Sequence, residues 1–173
     1  MKILSFGASN SLASINKQLA IYASSLVKNA TIEIIDLNDY QLPLFSEDKE
    51  KELGKPELAK NFLNKIADND VIIISFAEHN GSYTVAYKNL FDWCSRIEKQ
   101  IFQNKKMILL STSPGPRGGS NVLESAIKSI PFFAGNIIGA MSVPNFYDNF
   151  DREGKFIKDD TIKSNLIELL NKL

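Results

Sequence analysis

The residues with the chemistry to bind or react fall in three clusters. The first is GASNSLASIN, Gly7–Asn16, which sets Ser9, Ser11, Ser14 and Asn16 between an apolar run and a segment of helical periodicity. No acid or base interrupts it before Lys17. A helix N-terminus offers unpaired N–H groups and the positive end of a dipole, so such a loop can hold a phosphate dianion with neutral donors alone. Ser14 can equally serve as a helix cap and nothing more. The second cluster is AEHNGSYTVAYKNLFDW, Ala77–Trp93. Asn80-Gly81-Ser82 is a turn former, and Gly81 permits a close backbone approach or a positive φ. His79 can stack on a planar ring, donate a hydrogen bond or sit in solvent. Lys88, Asn89, Asp92 and Trp93 follow at helical spacing, which packing and surface polarity also explain; Trp93 suits a core or an interface. The third cluster is STSPGPRGGSN, Ser111–Asn121. Pro114-Gly115-Pro116 and Gly118-Gly119 allow a backbone path whose amides could bond the edge of a flat heterocycle, or simply make a turn.

Composition removes several other chemistries. The 173 residues suffice for one domain with a sizeable core, and 44% apolar with 23% charged residues is an ordinary globular balance. Twenty basic and twenty acidic residues cancel, which argues against a nucleic-acid binder and against an acidic electron carrier that steers to basic partners. Cys94 is the one cysteine and His79 the one histidine, so neither a disulfide nor a Cys/His metal site is expected. No apolar run reaches membrane-spanning length, and MKILSFGAS turns polar too early for a secretory signal, so a cytoplasmic protein is expected. The first loop carries neither GxxxxGK(S/T) nor GxGxxG, which disfavours a Walker or Rossmann site. Cys94 has Gln100 six places on, not the arginine of a low-molecular-weight phosphatase, and Phe76-Ala77 stands where a response regulator needs its acceptor aspartate.

The elements that must position these clusters alternate along the chain. Strands are expected at Lys2–Phe6, Thr31–Leu37, Asp70–Phe76, Lys106–Ser111 and Asn136–Val143. Helices are expected at Ser14–Lys28, Glu57–Ala67, Thr84–Ile101, Ser120–Ser129 and Asp160–Leu170. Gln41–Phe45 reads as an irregular loop, and Glu47–Pro56 as an exposed excursion before the second helix. Continuous apolar strands such as DVIIISF fit a sheet covered on both faces. Five strands alternating with helices imply an α/β three-layer sandwich, residues 1–173 as one unit, with a parallel sheet of order 2-1-3-4-5. In that topology ligands bind beyond the carboxyl ends of the strands, near the switch between strands one and three, and the three clusters follow strands one, three and four.

With these motifs in place the sequence resembles the NADPH-dependent FMN reductase family, flavodoxin-like enzymes that include azoreductases, quinone reductases and chromate reductases. The family patterns GSxRxxSxNxxLA, PEYNGSxPGxLKNAxDW and SxSPGxxGG align on the three clusters, the first through Ala8, Ser9, Ser11, Ser14, Asn16, Leu19 and Ala20. The resemblance implies that Ser9, Ser14 and Asn16 hold the FMN phosphate, with Ser11 and Ile15 in the same cofactor-binding loop. It implies that Glu78, His79, Asn80 and Gly81 line the isoalloxazine ring and that Ser113, Pro114, Gly115, Gly118 and Gly119 border its other side. It implies a homodimer or homotetramer formed near the KNAxDW segment, and no catalytic side chain, since the flavin carries the chemistry. The expected reaction is ping-pong: NADPH or NADH gives hydride to flavin N5, then a quinone, azo or flavin-type acceptor takes two electrons. The alternative is a flavodoxin-like FMN-binding carrier or regulatory module without NAD(P)H turnover. Ser11 replaces the usual arginine, His79 the usual tyrosine, and Ala77 and Thr84 the usual prolines.

Overall fold

The computed structural model describes residues 1–173. The elements run β1 (Lys2–Ala8), α1 (Ile15–Ser25), β2 (Thr31–Ile34), α2 (Glu47–Leu53), α3 (Glu57–Ala67), β3 (Val71–Phe76) and a two-residue hairpin pair β4 (Glu78–His79) and β5 (Ser82–Tyr83). They continue with α4 (Val85–Ser95), β6 (Lys106–Thr112), α5 (Ser120–Ser129), β7 (Asn136–Val143), α6 (Phe146–Asn149), a second small hairpin β8 (Phe150–Asp151) and β9 (Phe156–Ile157), and α7 (Asp160–Leu170).

The main sheet has the order β2-β1-β3-β6-β7, all parallel. Numbered among the five main strands alone, this is the expected 2-1-3-4-5, a flavodoxin-like α/β fold. Strand periodicity divides the core into two layers. Leu4, Phe6, Ile72, Ile74, Phe76 and Leu109 pack on one face with α3, α4 and α5. Ile3, Val71, Ile73, Ile108 and Leu110 pack on the other with α1 and α7. The continuous apolar runs thus have a covered partner on each side.

The chain departs from its local pattern where capping or burial overrides it. β2 ends at Ile34 because Asp36 takes the N–H of Asn38 at 2.9 Å and opens a 3-10 turn over Leu37–Tyr40. The Glu47–Pro56 excursion contains a helix, α2, capped by Ser46, rich in acids in its first turn and without a buried residue. Gly54, at φ 68, ends it. α4 stops at Ser95 rather than Ile101: Ile101 and Phe102 turn into the core, and Phe102 N–H bonds the Phe133 carbonyl at 3.0 Å. Gly7 lets α1 pack close against β1, since a Cβ there would lie 2.5 Å from Lys17 N and 2.7 Å from Lys17 Cα.

Candidate functional site

The loops after β1, β3 and β6 meet at one sheet edge and enclose a cleft of about 230 Å³. Its wall brings together nine of the fourteen residues singled out from sequence: Ser9, Ser11, Ser14, Ile15, Asn16, Glu78, His79, Ser113 and Pro114. Ala13, Ala77, Thr112 and Tyr147 complete it. Thr112 ends β6 and belongs to the third cluster, though it was not singled out as a ligand residue. Tyr147 sits on the four-residue α6, for which no sequence signal exists.

Ser14 is the N-cap of α1, its Oγ accepting the Lys17 N–H at 3.1 Å. The N–H groups of Ile15 and Asn16, in the first turn, have no partner within the chain. The Ser9 hydroxyl accepts the Ser11 N–H at 3.2 Å, folding the loop around that turn. Lys17 is directed away to an ion pair with Asp36. The anion-attracting end of the cleft therefore consists of backbone donors and hydroxyls under a helix dipole.

Asn16 does structural work with its side chain, which is only 2% exposed with the rest of the residue. Its Oδ1 accepts from Ser75 Oγ at 2.7 Å and Thr112 N at 3.0 Å, and its Nδ2 donates to the Thr112 carbonyl at 3.0 Å. This ties α1 to the ends of β3 and β6. Its contribution to the cleft is the backbone N–H. Glu78 likewise has a partner beyond the cleft: its Oε2 accepts the Val122 N–H at 3.0 Å and its Oε1 the Asn121 amide at 3.3 Å. α5 has no side-chain cap of its own, so this carboxylate serves its N-terminus from across the sheet edge.

Asn80 and Gly81, at φ 53 and 78, make the two-residue turn between β4 and β5 and stand outside the wall. Gly115, Gly118 and Gly119 also lie outside it. Gly118 packs so closely on Ser142 and Val143 that a Cβ would collide with them, and its carbonyl accepts from Ser111 Oγ at 2.8 Å. Thr84, in place of the family proline, caps α4 at Tyr87 N (3.2 Å) and donates to the Ala8 carbonyl at 2.9 Å, fastening α4 to the end of β1.

The KNLFDW segment builds the neighbouring wall. Asn89 accepts the Phe45 N–H at 2.8 Å and donates to the Leu42 carbonyl at 3.0 Å, and Trp93 Nε1 donates to the Pro43 carbonyl at 2.8 Å. These bonds pin the Gln41–Phe45 loop over α4. Lys88 and Asp92 pair on the helix surface at 2.7 Å. The pinned loop, α4 and His79 enclose a second groove of about 480 Å³, with Leu37, Tyr40, Leu42 and Leu44 along it. His79 lines both spaces, so they adjoin at this residue.

Tyr83 and Tyr87 hold their hydroxyl protons more tightly than usual because Tyr87 is buried and Tyr83 half-buried. Burial pushes the Cys94 thiol up to about 12. No cluster of His, Cys, Asp or Glu has the makings of a metal site. No helix is long and apolar enough to cross a membrane.

A doubly wound sheet with its ligand cleft at the switch between β1 and β3 defines the flavodoxin-like class. The sequence model of the NADPH-dependent FMN reductases matches residues 1–149, and the chain belongs to that family of oxidoreductases. An uncharacterized protein of Mycoplasma pneumoniae is 34% identical over 155 residues, 87% of this chain and 90% of the relative. The 2-hydroxy-1,4-benzoquinone reductase of Burkholderia sp. is 30% identical over 157 residues, 87% of this chain and 82% of the relative. Among solved structures, the flavoenzyme NAD(P)H:(acceptor) oxidoreductase FerB of Paracoccus denitrificans superposes with a TM-score of 0.76 at 20% identity, covering 98% of this chain and 93% of that one.

Proposed function

We propose that this chain is an FMN-dependent NAD(P)H:acceptor oxidoreductase that reduces quinone, azo or flavin-type acceptors by a ping-pong exchange. The observation that carries the reading is the pair of unpartnered N–H groups, Ile15 and Asn16, at a helix start ringed by Ser9, Ser11 and Ser14. These residues fit a phosphate dianion: every group facing it is a neutral donor, and the nearby Glu78 carboxylate is already bonded at α5. When bound, FMN supplies two-electron chemistry at its ring, accepting hydride from NAD(P)H and passing electrons to the acceptor.

The chain's own part is to bind, orient and admit. Ser9, Ser11 and the α1 N-terminus hold the phosphate. Asn16 keeps that N-terminus in register with β3 and β6. His79 and the Ser113-Pro114 edge border the ring, and the adjoining groove along Leu37, Tyr40, Leu42 and Leu44 admits planar apolar partners in turn. Donor and acceptor would use the same open side successively, the basis of a ping-pong order. The balance of twenty acids and twenty bases favours this over an electron carrier that docks by charge.

A homodimer or homotetramer belongs to the proposal as well, with the rim of the groove rather than the core of the KNLFDW segment as its contact. Leu90 and Trp93 fill the chain's own core. Leu44 and Val85, 73% and 70% exposed, are the apolar groups left at the rim of the groove. Light scattering at micromolar concentration checks the assembly; a monomer there removes it. The function is tested by the absorption spectrum of the purified protein before and after anaerobic NADPH. A flavin spectrum that bleaches within the turnover time supports it. A protein that retains no FMN after reconstitution, or holds FMN that NADPH and NADH leave oxidised, overturns it.

A further inference from the structure

A groove of about 940 Å³ adjoins the cleft at Ser14 and runs between α1 and the β8–β9 hairpin. Its α1 wall carries Gln18, Tyr22 and Ser25, and its hairpin wall Arg152, Glu153 and Lys155. Tyr22 is 93% buried by its 7% exposure, and its hydroxyl is the single buried side-chain polar atom with no hydrogen-bond partner in the chain. Buried hydroxyls are normally bonded, and this one is left unpartnered on a residue that lines the groove.

The hairpin wall is fixed in place. Phe150 stacks on Phe146 at 4.7 Å and meets Tyr22 edge-on at 5.8 Å, while Ile157 is buried beside them. Asp151 Oδ1 accepts the N–H groups of Glu153 and Gly154, both at 2.9 Å, which orders the tip. The Arg152 guanidinium lies 5.9 Å from the centre of the Tyr147 ring, the same tyrosine that closes the cleft. Neither Arg152 nor Lys155 has an ion-pair partner, whereas Lys17, also on this groove, is taken by Asp36. Two cations without ion-pair partners, flanking one acid, Glu153, thus stand on the hairpin wall where the groove adjoins the cleft. Arg117, the cation within the third loop, lines neither space.

We propose that this groove is the subsite for the phosphorylated adenosine half of the hydride donor, with Arg152 and Lys155 receiving the 2′-phosphate that distinguishes NADPH from NADH. The proposal rests on the oxidoreductase reading above, and it names the donor that reading leaves open. Both charged residues lie beyond residue 149, where the match to the family model ends. The groove therefore assigns donor choice to a part of the chain that the family pattern does not describe. Guanidinium and ammonium groups converging on a phosphate make charge-assisted hydrogen bonds, and losing one weakens binding about tenfold or more.

The probe is 2′,5′-ADP, titrated calorimetrically into the purified protein of measured FMN content, with 5′-AMP as control. The expected result is binding of 2′,5′-ADP that competes with NADPH, exceeds that of 5′-AMP, and falls at least about tenfold in Arg152→Ala and further in Arg152→Ala/Lys155→Ala. FMN content and melting temperature stay at wild-type values in both variants. Wild-type 2′,5′-ADP affinity in the double variant overturns the proposal. So does loss of FMN from the variants with 2′,5′-ADP affinity kept, or displacement of 2′,5′-ADP by FAD loading but not by NADPH, which would give the groove to the cofactor's own adenylate. A protein that binds 2′,5′-ADP through Arg152 yet holds no flavin would keep the groove and refute the flavin reading, so the two fail separately.

Discussion

Ser14→Asp sets the two possible tasks of the first loop against each other. Ser14 caps α1 at 3.1 Å from Lys17 N, in a site 6% exposed. Aspartate is as good an N-cap, and its charge is favourable at a helix start by about 0.3–1 kcal/mol. The apoprotein should therefore melt at the wild-type temperature or about 2–4 °C above it. The same carboxylate would face a phosphate seated on the Ile15 and Asn16 N–H groups from about 4 Å. At an effective dielectric near 20 each pair of unit charges repels by about 4 kcal/mol. Lys17 cannot relieve this without leaving Asp36. A third of that repulsion already weakens FMN binding about tenfold. The assay is a fluorescence titration of apoprotein with FMN, beside thermal melting of the same sample. Wild-type FMN affinity with an unchanged melting temperature would mean that the loop is only a helix cap.

Gly7→Ala should cost about 1–3 kcal/mol in urea unfolding and lower FMN retention as well, because its Cβ would press on backbone atoms of Lys17 and tilt the first turn of α1; a fully stable variant refutes that contact. With its thiol near 12, Cys94 is ionised in only about one molecule in ten thousand at pH 8, so a disulfide reagent should label it only after denaturation. Fast labelling of the native protein would contradict its burial. Burial works to raise the Asp36 carboxyl, but hydrogen bonds from Lys17 and Asn38 outweigh it and hold the group below its ordinary 3.8. A lowered carboxyl stabilises the fold above the unfolded value, and that contribution is lost as pH falls through the folded one. The stability gap between wild type and Asp36→Asn should therefore be constant from neutrality to about pH 5 and narrow below about pH 4, as melting curves across that range would register; a gap that widens on acidification refutes the pairing.

The alternation of strands and helices was legible in the sequence because hydrophobic period is a local property: Asp70–Phe76 and Glu57–Ala67 announce a two-faced strand and an amphipathic helix without help from the rest of the chain. The gathering of three polar loops at one edge followed from the topology that alternation implies. Local pattern failed where elements were too short to have one, as in the β4–β5 and β8–β9 hairpins and α6, each of two to four residues. It failed also where a residue's task is set by a distant partner. Asn16 reads as a ligand-loop amide, yet its side chain binds Thr112, 96 positions away. Glu78 reads as a ring contact, yet it caps a helix 44 positions on. Trp93 reads equally as core or interface until its indole is seen bonded to Pro43, 50 positions back. Sequence thus determined which segments fold and which loops share an edge. Tertiary structure decided which polar groups in those loops are already bonded within the chain and which, like the N–H groups of Ile15 and Asn16, are left for a ligand, because a hydrogen bond between distant residues has no signature in either one's neighbours.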